Sequence, residues 1–323
     1  MNTRRYEWLR AGVRRQPLLP VLVVLLVALA AYNGFATAAN FRNIAVQASP
    51  LVIAAVGMTY VIMTAGIDLS VGAMLFLAAA VESSDALIGR PAVLVIVAVA
   101  AAGLILGLIN GVAVAMTSVP ALIVTLATMQ VFRGAGGHIT QQQDIILPSN
   151  LRGIGTGSLL GVPNPVIIAV VVASGAGLAF TRTVFGRYVQ AVGSNRTAAV
   201  EAGLPVRWVL VGVYTLAGLL AGVASLTQTA RLGAVQPSIG DGYELTVITA
   251  VVLGGTSLFG GRGSVTGTVL GALVLTTVQT GLVFSGASPY VFDIVRGSVL
   301  LAAVLAAGVR WRELTRAVGL TEP

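Results

Sequence analysis

The sequence predicts an all-α polytopic membrane protein of about ten transmembrane helices, some short or broken, with cytoplasmic N- and C-termini. Three observations carry that expectation. Of 323 residues, 56% are hydrophobic and 9% charged, whereas soluble domains hold roughly a quarter charged residues. The apolar residues fall in runs near the ~20 residues that cross a bilayer core as a helix. The 19 basic residues are all Arg and gather in alternate gaps between those runs, which is the positive-inside pattern of an inner-membrane protein.

In chain order the predicted spans are Leu18–Phe35, Ile44–Ala65, Leu69–Val81, Pro91–Met116, Pro120–Phe132, Pro165–Phe180, Trp208–Thr227, Leu245–Phe259, Val265–Phe284 and Tyr290–Val309. The third, fifth and eighth are short, as half-helices are where they line a transporter cavity. They divide the chain into a basic tail over 1–17, a transmembrane domain over 18–309 and a tail over 310–323. Two pieces lie between spans: 134–164 is predicted outside and 181–207 inside. Alternating ten spans from an inner N-terminus leaves 13 of the 19 Arg residues on the cytoplasmic side; eight spans would also be even. Arg14-Arg15, the first apolar run and Ala36-Thr37-Ala38 together resemble a cleavable leader, but the run is long enough to span, and an uncleaved first helix is expected.

The absences exclude chemistry. There is no Cys, no Lys and one His. That removes disulfides, thiolate metal sites and cysteine nucleophiles. It also removes the lysine that a Walker A phosphate loop or a Schiff base requires. The +8 balance reads as topology rather than as a nucleic-acid surface. A proton-driven carrier needs acidic or His relays within the membrane, and Asp68 is nearly the whole supply.

Local signals place the candidate residues. Asn195 is a predicted cap for a short inner helix over Thr197–Ala202, and Gly203 with Pro205 a stop. Gly66–Gly72 is echoed by Gly260–Gly267, which fits duplicated halves or two independent turns. Asp68 and Ser70 read first as caps of the helix that follows and second as lining for a polar solute. Thr125 and Thr128 share a helix face, with hydroxyls predicted to bond back to their own carbonyls or to face a solute. Thr246 and Thr249 read the same way, and Asn110 joins the candidates. Asp293 and Arg296 are spaced for a local ion pair. Gly267 and Gly271 form a small-xxx-small contact, expected within the chain. His138 reads as a surface residue.

Taken together, six stretches resemble the permease subunits of bacterial ABC importers for monosaccharides: Gly57–Ile62, Gly66–Gly72, Leu108–Gly111, Pro120–Met129, Phe185–Asn195 and Ala250–Gly261. The resemblance is to the ribose/xylose/rhamnose/autoinducer-2 branch, related to the branched-chain amino-acid permeases, and it covers residues 44–309. It implies a multi-pass protein of the bacterial inner membrane that is no enzyme itself and holds no cofactor. ATP and Mg would be bound by cytoplasmic ATP-binding subunits, a second permease subunit would complete the pathway, and a periplasmic sugar-binding protein would deliver the ligand. Residues 181–207 would supply the coupling element, with Gly193, Asn195, Ala199 and Gly203 on the motif and Arg196 and Glu201 beside them. Classical importers show an acidic residue before two alanines there; here Thr197 precedes Ala198-Ala199, which weakens the case for Glu201. Asp241 and Glu244 are candidates for binding-protein contact. A permease for a nucleoside or branched-chain amino acid remains the alternative, and a secondary transporter a more distant one.

Overall fold

The computed structural model describes residues 18–317. The predicted tail over 1–17 lies outside the described residues, as do positions 318–323. Within them the chain is helical almost throughout, in the order α1 (Leu18–Leu29), α2 (Ala38–Met63), α3 (Val71–Glu82), α4 (Ala92–Met116), α5 (Ala121–Thr140), α6 (Ser149–Thr156), α7 (Asn164–Arg182), α8 (Val184–Ser194), α9 (Arg196–Glu201), α10 (Val206–Leu232), α11 (Tyr243–Leu253), α12 (Val265–Phe284) and α13 (Pro289–Ala317). The strands are minimal. β1 (Ile145–Ile146) pairs antiparallel with β4 (Ala234–Val235), and β2 (Ser158–Leu159) with β3 (Val162–Pro163). Leu160 and Gly161 join the latter pair with positive φ at both, the conformation a tight two-residue hairpin turn requires.

Each apolar run predicted from sequence contains a helix. Among the described residues, five helices are long and apolar enough to cross a membrane: α2, α4, α7, α10 and α12. Three shorter apolar helices, α1, α3 and α11, accompany them. The most apolar window of α2 is 89% buried, whereas those of α4 and α7 are 28% and 17% buried. So α2 is central and the other two are peripheral. Val93, Val97, Ile105 and Met116 of α4 face outward. Each would forgo about 1.5–3 kcal/mol of burial in water, so this belt belongs out of water.

Glycine sets how closely the helices approach. On α4, Gly103 and Gly107 meet the backbone of α10: a methyl group would lie 2.4 Å from the Gly218 carbonyl in one case and 2.3 Å from the Tyr214 carbonyl in the other. The Gly267–Gly271 pair packs within the chain, against the carbonyls of Gly254 and Ala250.

Two helices are interrupted. Residues 64–70 separate the 26-residue α2 from the 12-residue α3, and 254–264 separate the 11-residue α11 from the 20-residue α12. Long-then-short in one half becomes short-then-long in the other, and the two glycine-rich echoes sit at these breaks.

Two segments differ from the sequence expectation. The piece over 134–164 is not all loop, since α5 continues to Thr140. Gly136 serves packing: a methyl group there would lie 2.7 Å from the Phe76 ring. The inner piece holds two helices, α8 and α9, where one was predicted. Val189 and Val192 of α8 are buried, and Phe185 packs on the Tyr60 ring at 6.1 Å, an i, i+4, i+7 apolar stripe.

Candidate functional site

The backbone unwinds after Met63 at Ala65, whose φ is +59°, an uncommon conformation for a residue with a Cβ. Two helices furnish hydrogen-bond partners to the unwound stretch, and a third brings a hydroxyl close to it. From α5, the Thr125 hydroxyl accepts the Leu69 N–H at 3.1 Å and donates to the Ile67 carbonyl at 3.2 Å. Asp68 Oδ1 accepts both the Ser70 N–H at 2.8 Å and the Ser70 hydroxyl at 2.6 Å. From α4, the Asn110 amide donates to Ser70 Oγ at 2.7 Å. From α10, Tyr214 brings its hydroxyl to within 2.6 Å of where a Gly66 Cβ would be.

Asp68, Ser70, Asn110, Thr125 and Tyr214 are all fully buried. Among the described residues, Asp68 Oδ2, Asn110 Oδ1 and the Tyr214 hydroxyl have no hydrogen-bond partner. Leaving such groups unpaired in a dry interior costs ~1–3 kcal/mol each, so this cluster holds unused capacity for a polar partner. The structure also decides how the cap is made. Ser70 occupies the cap position of α3 but its side chain makes no cap bond; the acceptor at the helix start is Asp68, through an Asx turn.

The other threonines divide. Thr128 donates to the Thr125 carbonyl at 3.2 Å and Thr249 to the Leu245 carbonyl at 2.6 Å, the back-bonding the sequence favoured. Thr246 instead accepts from Arg296 at 2.7 Å. That Arg296 also donates to the Gly242 carbonyl at 3.1 Å and pairs with Asp293 at 3.0 Å. Opposite it, Arg133 of α5 donates to the Ile239 carbonyl at 2.8 Å, pairs with Asp241 at 2.9 Å and lies 5.0 Å above the Phe76 ring. Two arginines from different helices thus grip the turn over 237–242. That turn rests on the start of α3, where a methyl group on Gly72 would lie 2.3 Å from the Gly240 carbonyl. Asp241 remains 65% exposed despite its ion pair; Glu244 packs inward, with Oε2 2.9 Å from the Gly72 Cβ position.

At the α8–α9 arm, Asn195 ends one helix and caps the next, accepting the Ala198 N–H at 3.0 Å. Gly203 ends α9 at φ +73°, with Leu204 N–H returning to the Ala199 carbonyl at 3.0 Å. Asn195, Arg196, Glu201 and Gly203 are exposed, whereas Gly193 and Ala199 are buried. Gly193 meets the body of the protein, with a would-be Cβ 1.7 Å from the Met63 carbonyl.

The Asp293–Arg296 ion pair expected from the spacing is present, whereas sequence reasoning passed over Tyr214, Arg133, the bonds of Arg296 to Gly242 and Thr246, and two buried contacts. One is the Thr59–Thr268 hydroxyl pair joining α2 to α12 at 2.7 Å; the other is Glu82 of α3, accepting from Thr229 at 2.7 Å. A charge inside or ending an apolar run was the available signal for Arg133, Arg296 and Glu82; Tyr214 carried none.

The family profile described as "Branched-chain amino acid transport system / permease component" matches residues 40–304. The chain is 41% identical over 313 residues to the ribose import permease protein of Escherichia coli (strain K12), covering 94% of this chain and 97% of that one. It is 40% identical over 292 residues to the ribose import permease protein of Bacillus subtilis (strain 168), covering 90% and 91%. It is 34% identical over 272 residues to the D-allose transport system permease protein of Escherichia coli (strain K12), covering 84% and 83%. No solved structure matches the chain. With the profile spanning most of its length and relatives aligned nearly end to end, the chain belongs to the branched-chain amino acid transport system permease family.

Proposed function

We propose that this chain is the membrane permease subunit of an ABC importer that admits a monosaccharide. The observation that carries the reading is the 41% identity to a ribose import permease over 97% of that relative's length. The chain has no Lys and so no Walker A site; ATP and Mg are bound by separate cytoplasmic subunits. A second permease subunit completes the pathway, and a periplasmic binding protein delivers the sugar against the surface that includes Asp241. The protein crosses the bacterial inner membrane about ten times, with both ends cytoplasmic, consistent with the distribution of arginine.

The exposed side of the α8–α9 arm, with Asn195, Arg196, Glu201 and Gly203, docks on the ATPase, and Ala199 and Gly193 seat it on the permease. Asp68, Ser70, Asn110 and Thr125 form the polar point on the sugar's route. The unpartnered atoms of Asp68, Asn110 and Tyr214 suit the hydroxyls of a sugar, and the cluster carries no fixed cation to select a carboxylate. Thr128, Thr246 and Thr249 have partners of their own and act at most secondarily.

The test is sugar-stimulated ATP hydrolysis by the reconstituted complex. The permease alone is expected to hydrolyse nothing. Complex with binding protein should accelerate severalfold with ribose or D-allose and stay at baseline with leucine. Stimulation by leucine alone would replace the sugar reading with the amino-acid one.

A further inference from the structure

We infer that the end of α2, the turn between α11 and α12, and the α8–α9 arm are joined into one rigid body at a three-way glycine junction, so that the arm's displacement reaches both interrupted helices at once. The inference rests on the docking role proposed for that arm and adds where its motion goes.

The contacts at the junction are backbone against backbone. A methyl group on Gly193, two residues before α9 is capped, would lie 1.7 Å from the Met63 carbonyl and 2.7 Å from the Gly261 nitrogen. The Gly261 N–H donates to that same Met63 carbonyl at 3.0 Å. On Gly260 it would lie 2.7 Å from the Gly193 carbonyl and 2.9 Å from the Ala65 nitrogen. On Gly261 it would lie 2.7 Å from Ser194 Oγ. Gly260 and Gly261 both have positive φ, so the turn that makes these approaches depends on glycine.

Side-chain contacts yield by changing rotamer; packed backbones have no such freedom and move together. The arm is fastened elsewhere too. Tyr60 of α2 donates to the Ala176 carbonyl of α7 at 2.5 Å, and its ring packs on Phe180 at 5.5 Å and Phe185 at 6.1 Å. Gly186 sits on the Phe180 backbone, where a methyl group would lie 2.0 Å from the carbonyl. Force entering α9 therefore crosses only Asn195 and Ser194 before Gly193 passes it to Met63 and the first unwound residues. Asp68 lies only five positions beyond Met63. Gly193, Gly260 and Gly261 act as positioning residues; none faces a solute.

The absence of Cys makes a direct test clean. Ser194→Cys with Gly261→Cys brings the two side chains together, and because Gly261→Cys adds a Cβ at a crowded, left-handed position, the reduced double variant is first matched to the parent in uptake. The pair is oxidised in the complete importer in vesicles, its closure is read by maleimide labelling, and ribose uptake and ATP hydrolysis are measured. One rigid body predicts that the disulfide forms and uptake stays within twofold of the reduced sample. A tenfold fall in uptake reversed by reductant, or failure of the thiols to join in a reduced variant whose uptake matches the parent, would overturn the junction. Where Gly261→Cys does not accumulate, a two-glycine insertion between Ser194 and Asn195, which adds no volume at the junction, decides. A tenfold loss of uptake with hydrolysis within twofold of the parent supports the junction, and parental uptake per ATP overturns it. Val200→Asp on the exposed side of α9 separates the premises. If it leaves the ATPase bound, the docking reading fails, whereas the disulfide still judges the junction.

Discussion

The two interrupted helices are held at both of their meeting points, by opposite means. At the α2 end, Gly193, Gly260 and Gly261 bring backbones into contact with no ion pair between them. At the α3 end, Gly72 and Gly240 also touch, but the turn that carries Gly240 is gripped by Arg133 and Arg296. The first arrangement is chiefly backbone on backbone, with no charged side chain able to let go. The second depends on guanidinium groups, one of them paired with the largely exposed Asp241. Close packing makes a joint stiff and intolerant of volume, whereas charge makes it sensitive to pairing and to salt.

That contrast is broken most severely at Gly193. Gly193→Val puts a branched side chain where the Met63 carbonyl stands, and overpacking of this kind costs about 3 kcal/mol or more. Loss of the folded protein in detergent is the expected result, read by fluorescence-detected size exclusion. Gly203→Ala, at a glycine with open space around it, should cost only ~1–2 kcal/mol from its left-handed backbone. Equal damage at the two positions would erase the distinction between junction and cap.

Arg296→Gln comes next. It withdraws bonds to the Gly242 carbonyl and Thr246 and a charge pair with Asp293, and charge-assisted bonds contribute ~1.5–3 kcal/mol each when partly buried. A melting point lowered by several degrees is expected, with the Arg133→Gln variant similar. Thr125→Val keeps the shape at the break but strips the Leu69 N–H and Ile67 carbonyl of their partner, for ~1–3 kcal/mol. Its effect should exceed that of Thr128→Val, whose hydroxyl only returns to its own helix; thermal unfolding of the pair decides. The smallest effect belongs to Asp241→Asn, within ~1 kcal/mol as for exposed ion pairs. The difference between it and the parent should shrink further in high salt.

Legibility in the sequence followed the same division. The helical class and the central positions of the apolar runs were readable because ~20 apolar residues have few other uses. Asp68, Ser70, Asn110 and Thr125 were picked out one at a time as polar residues in apolar surroundings. That they converge was not readable, because the convergence depends on three helices far apart in sequence. The continuation of α5 was hidden by Gly134, Gly136 and Gly137, which resemble a loop until Phe76 is found against Gly136. Gly193 was marked as part of a docking motif; its true neighbour, the Met63 carbonyl, lies in another helix and leaves no local trace. Thr246 looked like a pathway hydroxyl for want of Arg296, fifty positions away.

Uptake of labelled ribose into vesicles tests the central claim most directly, with the permease, its ATPase and its binding protein supplied together and singly withheld. The account predicts ATP-dependent accumulation only when all three are present, with none from the permease alone under a proton gradient. Accumulation by the permease without the ATPase, driven by that gradient, would contradict it.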